Sequence, residues 1–264
     1  MQLNVSKRRE TVEETDKGNG EDLIMHENNL EELLTKGVEE FGITLSKFQI
    51  GKFFTYMKLL KTWNEKMNLT SVIEDREIII KHFIDSLSIL PFIKDKSSRL
   101  IDIGTGAGFP GIPLKITCDE LDIALLDSTE KKVKFLEECI DSLKLNKINA
   151  FHGRAEDYGN NPLYREMFDI STARAVASLP VLLEYCLPFV KPGKEFIAMK
   201  GKSSSEVVDS KKALDILGGK IEVVKEITLP YTDNIRNIIV IKKFRQTPSK
   251  YPRKAGKPSN IPLI

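Results

Sequence analysis

Apolar residues follow two different periods along the chain, and the change between them separates two regions. From about Ser46 they recur at three- and four-residue intervals, which is the spacing of an amphipathic helix. A second stripe of this kind predicts a helix from about Asp75 to Leu90, ended by Pro91. Beyond Leu100, short apolar runs alternate with helical stripes, a pattern typical of an α/β domain. The two helices are expected to pack on this domain through their aromatic residues.

The apolar runs after Leu100 predict a sheet of seven strands. The predicted strands are the run from Leu100 to Ile103, then Leu121–Asp127, Ile148–His152, Phe168–Ala173, Glu195–Met199, Ile221–Thr228 and Asn237–Lys243. Helical stripes are predicted over Thr129–Leu143 and Ser204–Leu217. The last two strands have no helix between them, so we expect them to pair antiparallel. The fold class predicted is α/β with a seven-stranded sheet and an N-terminal helical extension.

A glycine-rich turn follows the first strand. Residues 100–114 are LIDIGTGAGFPGIPL, in which Asp102 ends the apolar run and glycines stand at 104, 106 and 108. A turn between a strand and a helix places a nucleotide-like ligand at the carboxyl end of the sheet, and glycine there lets the backbone approach the ligand closely. A turn without any ligand is the alternative reading of this feature.

The spacing of the glycines separates the possible ligands. The dinucleotide fingerprint needs a glycine at 109, where this chain has Phe109, and no Lys-Ser/Thr pair follows to form a P-loop. An NAD-dependent oxidoreductase is therefore disfavoured. The pattern Asp102-x-Gly104-x-Gly106-x-Gly108 resembles motif I of class I S-adenosylmethionine (SAM) methyltransferases, whose Rossmann-like fold this resemblance implies.

Later strand ends supply further candidate ligand contacts. Asp127 lies 23 residues after Gly104, near the spacing at which an acid meets ribose hydroxyls, although it could instead cap the next helix together with Glu130. Ala155 and Glu156 follow the third strand, where a SAM site brackets adenine, and Arg174 follows the fourth, above the methyl-transfer position. The candidate cofactor-binding residues are Asp102, Gly104, Gly106, Gly108, Phe109, Asp127, Ser128, Ala155, Glu156 and Arg174.

Charge is unevenly distributed although the net charge is only +2. Residues 1–41 carry eleven acids and five bases, whereas residues 242–264 carry seven bases and no acid. A basic segment suits a phosphate-bearing partner, and a merely solvated terminus is the competing interpretation. The three cysteines and three histidines show no ligand spacing, so reduced thiols and no metal are expected. No apolar run is long enough to span a membrane, and no secretory signal is visible.

These patterns divide the chain into four segments. Residues 1–24 are polar and expected to be disordered, either as an extension or as residues ahead of an alternative start at Met25. Residues 25–95 are the helical segment, 96–244 the SAM-binding domain and 245–264 a basic tail. His82 and Asp85 lie in an unusual segment, KHFIDSL, and the simplest expectation is that they hydrogen-bond each other or nearby backbone.

Six segments in order resemble the RsmG (GidB) family of bacterial rRNA methyltransferases. They are WNEKMNLT, KHFIDSL, LIDIGTGAGFPGIPL, LDS with KKVKFL, ARAVASL and KYPRKAGKP. The resemblance implies SAM-dependent methylation of N7 of a guanosine in the decoding-region loop of 16S rRNA, with SAM contacts at Gly104, Phe109, Ala155, Glu156 and Arg174. A methyltransferase for small molecules or another RNA, and an inactive RNA-binding module, are the alternatives.

The chemistry of N7 assigns roles to the basic residues. N7 carries a lone pair and no proton, so the reaction needs alignment more than a general base. No residue is assigned as a certain catalyst, and Arg174 is expected to position SAM or RNA. Lys200, Arg253 and Lys254 are predicted to contact rRNA phosphates. The expected protein is a cytoplasmic monomer acting on 16S rRNA or the 30S particle.

Overall fold

A computed structural model describes residues 28–201 and 204–264, with the side chain of residue 204 left out. The segment 1–24, predicted to be disordered, and Met25 lie outside the described residues.

Within the described part of the chain, seven strands form one mixed sheet in the order β3-β2-β1-β4-β5-β7-β6. The strands are β1 (Arg99–Ile103), β2 (Asp122–Asp127), β3 (Ile148–His152), β4 (Phe168–Arg174), β5 (Val190–Lys200), β6 (Gly219–Thr228) and β7 (Ile235–Lys243). The first five are parallel, and β7 pairs antiparallel with both β5 and β6. The predicted seven strands and the antiparallel final pair are confirmed, while β5 begins five residues earlier than predicted.

Helices cover both faces of the sheet. They are α1 (28–39), α2 (Lys47–Asn64), α3 (Asp75–Ile78), α4 (Asp85–Leu87), α5 (Gly111–Thr117), α6 (Glu130–Ser142), α7 (Ala155–Tyr158), α8 (Leu179–Cys186), α9 (Ser204–Asp209), α10 (Lys211–Leu217) and α11 (Lys257–Asn260). The helix predicted over Ser204–Leu217 is interrupted at Ser210, which separates α9 from α10. β1 and β2 lie inside the sheet and are almost wholly buried, which explains their continuous apolar sequences, whereas the edge strand β3 is partly exposed.

The N-terminal helices pack directly over the glycine turn. Ser46 caps α2 in a reciprocal capping box with Gln49, and the apolar stripe of α2 is buried as predicted. Tyr56, fully buried on this helix, donates its hydroxyl hydrogen to the carbonyl of Ala107 in the turn. α3 and α4 are joined by a π-helical segment, Ile79–Ile84. α1 falls within the helical segment predicted over 25–95 but was not predicted as a separate helix, because its buried face (Leu30, Leu33, Leu34 and Val38) lies within an acidic stretch.

Residues beyond β7 are folded onto the sheet domain, so the segment predicted as a basic tail is not a free terminus. Tyr251 and Leu263 are buried in the same apolar cluster as α8 and β5. Arg165 donates hydrogen bonds to the carbonyls of Thr247 and Tyr251, at 2.6 and 2.7 Å. A cis peptide bond precedes Pro252.

Candidate functional site

The glycine turn wraps over the carboxyl ends of β1 and β2. The N–H of Gly104 donates to the carbonyl of Leu126 at 2.8 Å, and Gly104 and Gly106 have φ values of +65° and +63°. A β-carbon would be strained at both positions, and at Gly104 it would lie 2.8 Å from a methyl of Val176. At Gly106 it would meet nothing closer than 4.0 Å. The turn therefore presents backbone to open space.

Asp102 and Gly108 lie beneath the turn and not on a cavity wall. Asp102 is fully buried, and its Oδ2 accepts hydrogen bonds from the Thr105 hydroxyl at 2.6 Å and the Gly111 N–H at 2.9 Å. Burial raises the pKa of Asp102 to about 6. Gly108 is required because a β-carbon there would collide with Ile112 and Tyr56. Both residues shape the turn in this structure, which differs from the direct contact expected.

Asp127 connects the turn to the end of β2. Its Oδ2 accepts from the Gly106 N–H and its Oδ1 from the Thr129 N–H, each at 2.9 Å. The alternative capping role with Glu130 is not seen, because α6 begins after Thr129 without a side-chain cap. A carboxylate has about four acceptor positions, so Asp127 keeps capacity for ribose hydroxyls.

Gly104 lines two cavities. The larger, of about 610 Å³, is enclosed by the turn, by β4 and β5, and by the loop after α2. Of the predicted residues, those lining it are Gly104, Gly106, Phe109, Arg174 and Lys200. The smaller, of about 210 Å³, is lined by the predicted residues Gly104, Ser128, Ala155 and Glu156. Together the cavities run across the ends of β1 to β4, where open α/β sheets bind their ligands.

A charged cluster that the sequence reasoning missed stands in the larger cavity. Asp85, 2% exposed, accepts a hydrogen bond from the Arg174 guanidinium on one carboxylate oxygen and from the Arg236 Nε on the other, both at 3.0 Å. Arg174 also donates to the carbonyl of Lys81 at 2.9 Å. Asp85 therefore holds both cations in place, and it shares one site with Arg236, which lies 151 positions further along the chain.

Aromatic rings form the floor beneath Arg174. Its guanidinium carbon lies 4.9 Å from the centre of the Phe109 ring, and His82 stacks on that ring at 4.5 Å. His82 Nε2 is 2.8 Å from the Thr70 hydroxyl, so WNEKMNLT and KHFIDSL meet here. Burial first, and then the neighbouring charge of Arg174, lower the pKa of His82 to about 3. The imidazole is therefore neutral at physiological pH.

Lys200 has internal partners in this structure, in contrast to the phosphate contact predicted for it. Its ammonium lies 3.0 Å from the Glu206 carboxylate and donates to the carbonyl of Ala177 at 2.7 Å. Glu206 in turn accepts from the Leu179 N–H at 2.6 Å. Only 12% of the Lys200 side chain is exposed. The pair ties the loop after β4, which carries Val176 against Gly104, to α9.

Arg253 also faces inward, which corrects the expectation that it is a surface contact for RNA. It pairs in a bidentate manner with Glu184, which is 1% exposed, through contacts of 2.9 and 2.6 Å. An isolated carboxylate at that depth would be very costly, so Arg253 is needed to neutralise it. Glu156 is likewise occupied: its Oε1 accepts the Gly256 N–H at 2.9 Å. Lys254 is exposed, as its predicted role requires.

No group of three potential metal ligands occurs within 28–201 and 204–264. Across the same residues, no helix is both long and apolar enough to cross a membrane.

The site fits S-adenosylmethionine. Gly106 offers an open backbone approach, the paired cavities follow the strand ends, and Asp127 keeps acceptor capacity beside the turn. The seven strands, with the last antiparallel pair and the Asp-x-Gly-x-Gly-x-Gly turn, define a class I SAM-dependent methyltransferase.

Comparisons with known proteins identify the family. Residues 49–238 match the family GidB, rRNA small subunit methyltransferase G. Ribosomal RNA small subunit methyltransferase G of Acetivibrio thermocellus is 64% identical over 237 residues, covering 90% of this chain and 98% of that protein. The protein of the same name from Thermoanaerobacter sp. strain X514 is 50% identical over 238 residues, with coverages of 89% and 99%. The chain belongs to the rRNA small subunit methyltransferase G family.

Among solved structures, a SAM dependent methyltransferase from Aquifex aeolicus aligns with a TM-score of 0.48 and 17% identity, over 69% of this chain and 97% of that one.

Proposed function

We propose that this protein transfers a methyl group from SAM to N7 of a guanosine in the decoding-region loop of 16S rRNA. The observation that carries the proposal is the cavity of about 610 Å³ above the glycine turn, walled by the Asp85 cluster, in a chain of this family. Its lining includes two guanidinium groups, those of Arg174 and Arg236, which suit an anionic and polar substrate such as a nucleotide.

The backbone of the glycine turn and the smaller cavity would hold the cofactor. Gly104 and Gly106 give close approach, Asp127 offers acceptors for ribose, and Ser128, Ala155 and Glu156 line the space proposed for adenine. When bound, SAM supplies a methyl group on a positively charged sulfur.

The chain's own groups are arranged for alignment and not for proton removal. N7 has a free lone pair, so no side chain has to accept a proton, and His82, with a pKa of about 3, is a poor base. The modified guanine gains a positive charge, which an unneutralised cation beside N7 would oppose. Asp85 offsets one of the two guanidinium charges in the cavity. Arg174, held by Asp85 and the Phe109 ring, is a positioning residue for the substrate or the cofactor.

The experiment that tests the proposal locates the transferred methyl group. The protein is incubated with methyl-labelled SAM and 16S rRNA from cells lacking the modification, either as naked RNA or within 30S particles. Label on guanine N7 is expected, and the better of the two substrates identifies the natural one. SAM binding without transfer to any RNA would contradict the proposal and indicate a binding module. Light scattering of the protein alone tests the expected monomer.

Arg174→Ala tests the positioning role directly. The variant should lose affinity for SAM or RNA, measured by titration of each ligand. A thousandfold drop in the single-turnover rate at saturating ligands, with both affinities intact, would refute that role.

A further inference from the structure

The C-terminal segment of residues 251–259 contributes to the smaller cavity. Ser259 and Tyr185 line it together with Ala155 and Ser128, and the hydroxyl oxygens of Ser259 and Tyr185 are 2.7 Å apart. Ser259 lies beyond residue 238, where the match to the family ends, so the family match does not assign it a role.

Besides the Ser259–Tyr185 contact and the Arg165 hydrogen bond to the carbonyl of Tyr251, three attachments hold this segment against the cofactor side of the domain. The Glu156 carboxylate accepts the Gly256 N–H, and the Asn160 side-chain amide donates to the carbonyls of Glu156 and Pro252, at 2.8 and 3.0 Å. Asn160 thus connects α7, which supplies Ala155 and Glu156, to the C-terminal segment. The third attachment is the ion pair of Arg253 with the buried Glu184.

α7 and this segment pack in close contact. A β-carbon at Gly159, directly after α7, would lie 3.0 Å from the ring of Pro252 and 2.9 Å from the carbonyl of Ala155. A displacement of the segment would therefore remove a hydrogen bond from Glu156 and open one side of the cavity. The exposed Lys254 and Lys257 lie on the same nine residues as these inward contacts.

We propose that residues 251–259 form the outer wall of the adenine-binding cavity and set the affinity of the protein for adenosine-containing ligands. This inference rests on the proposed function, because that function places adenine beside Ala155 and Glu156. The segment is thus a specificity-determining part of the cofactor site, in which Ser259, in contact with Tyr185, supplies a hydroxyl group to the cavity lining.

A matched pair of substitutions in the full-length protein tests the wall. Ser259→Trp places a large ring on the cavity side, whereas Asn260→Trp places the same ring at the next exposed position, which does not line the cavity. Calorimetric titration with S-adenosylhomocysteine should show affinity weakened roughly tenfold or more for Ser259→Trp and within about twofold of wild type for Asn260→Trp. Equal affinities in the two variants would overturn the proposal.

A measurement on the unmodified protein covers the case in which Ser259→Trp unfolds. Saturation with S-adenosylhomocysteine should slow amide hydrogen exchange at Gly256 and its neighbours as well as at residues 155–160. Slowed exchange at 155–160 with no change at 251–259 would refute the wall. Absence of S-adenosylhomocysteine binding by the wild-type protein would instead refute the proposed function, so the two failures are distinguishable.

Discussion

Replacing Asp85 by Asn removes one charge and leaves the shape of the side chain nearly unchanged. In the wild-type protein this carboxylate, 3% exposed as a side chain, lies 3.0 Å from Arg174 and 3.0 Å from Arg236. In Asp85→Asn the two guanidinium groups, 15% and 25% exposed, keep their positive charges with no anion between them.

The loss in the free energy of unfolding expected for Asp85→Asn follows from the burial of the ion pairs. Removing one partner of a buried ion pair costs about 3–5 kcal/mol, because the remaining charge stays buried without compensation. The arginines are partly exposed and can move toward water, so we expect the lower end, about 3 kcal/mol, as a loss in the free energy of unfolding. For a chain of this size that lowers the melting temperature by roughly 6–12 °C.

Asp75→Asn is the matched control. Asp75 makes an ion pair with Lys61 at 2.5 Å near the start of the same helical segment, but the two side chains are 26% and 46% exposed. Exposed pairs contribute about 0.2–1 kcal/mol, so this variant should melt within roughly 4 °C of wild type. Urea denaturation and thermal melting of the three proteins give the comparison.

The methyl-transfer assay separates positioning from stability. At a temperature where all three proteins are folded, Asp85→Asn should have a weaker affinity for RNA or SAM than Asp75→Asn, because Arg174 and Arg236 no longer share a fixed anchor. Equal stability losses in the two variants, together with equal affinities, would refute the idea that Asp85 organises the site.

Three further predictions concern charged groups. Lys200→Ala should speed amide exchange in residues 175–178, which Lys200 and Glu206 hold in place, and should leave the salt dependence of RNA binding as in a Lys194→Ala control. If Lys200→Ala instead reduced the slope of log affinity against log salt concentration by about 0.7–0.9, Lys200 would contact an RNA phosphate after all. Because the pKa of Asp102 is about 6 in the folded protein and its usual value is 3.8, its contribution to stability is present below about pH 4 and is lost as the pH rises through 6. The free energy of unfolding, measured against pH for the wild-type protein and for Asp102→Asn, should differ by this pH-dependent contribution, and a difference that does not change with pH would contradict the raised pKa. Replacing the exposed Lys250, Lys254 and Lys257 by Ala should reduce the slope of log RNA affinity against log salt concentration by about 0.7 per lost contact, without loss of stability. Arg253→Ala should instead destabilise the protein, because it leaves the Glu184 carboxylate unpaired. An unchanged slope in the lysine variant would exclude these lysines from the RNA interface.

The sheet could be predicted because each strand carries its own local signal. The strands that lead to Asp102 and Asp127 can each be recognised from about six consecutive residues, and the glycine turn can be recognised without knowledge of any distant residue. The start of α2 near Ser46 and both ends of α6 were likewise close to prediction, since apolar stripes are local features.

The charge cluster could not be predicted because its partners are far apart in sequence. Nothing near Asp85 indicates Arg236, and nothing near Arg253 indicates Glu184. A usable signal did exist: Asp85 and Glu184 are each single acids within apolar segments, IIIKHFIDSLSIL and LPVLLEYC. Because a buried acid requires a compensating cation, a single acid in an apolar segment predicts that at least one basic residue faces inward.

The placement of β7 between β5 and β6 has a consequence for how the protein is made. β6 pairs in the sheet with β7 alone, and β7 follows it in the chain. Until β7 has left the ribosome, β6 has no strand to join, and the β5 edge that β7 later covers is open to other extended chains. The last two strands therefore enter the sheet together, and the edge of β5 stays open to mispairing until they do.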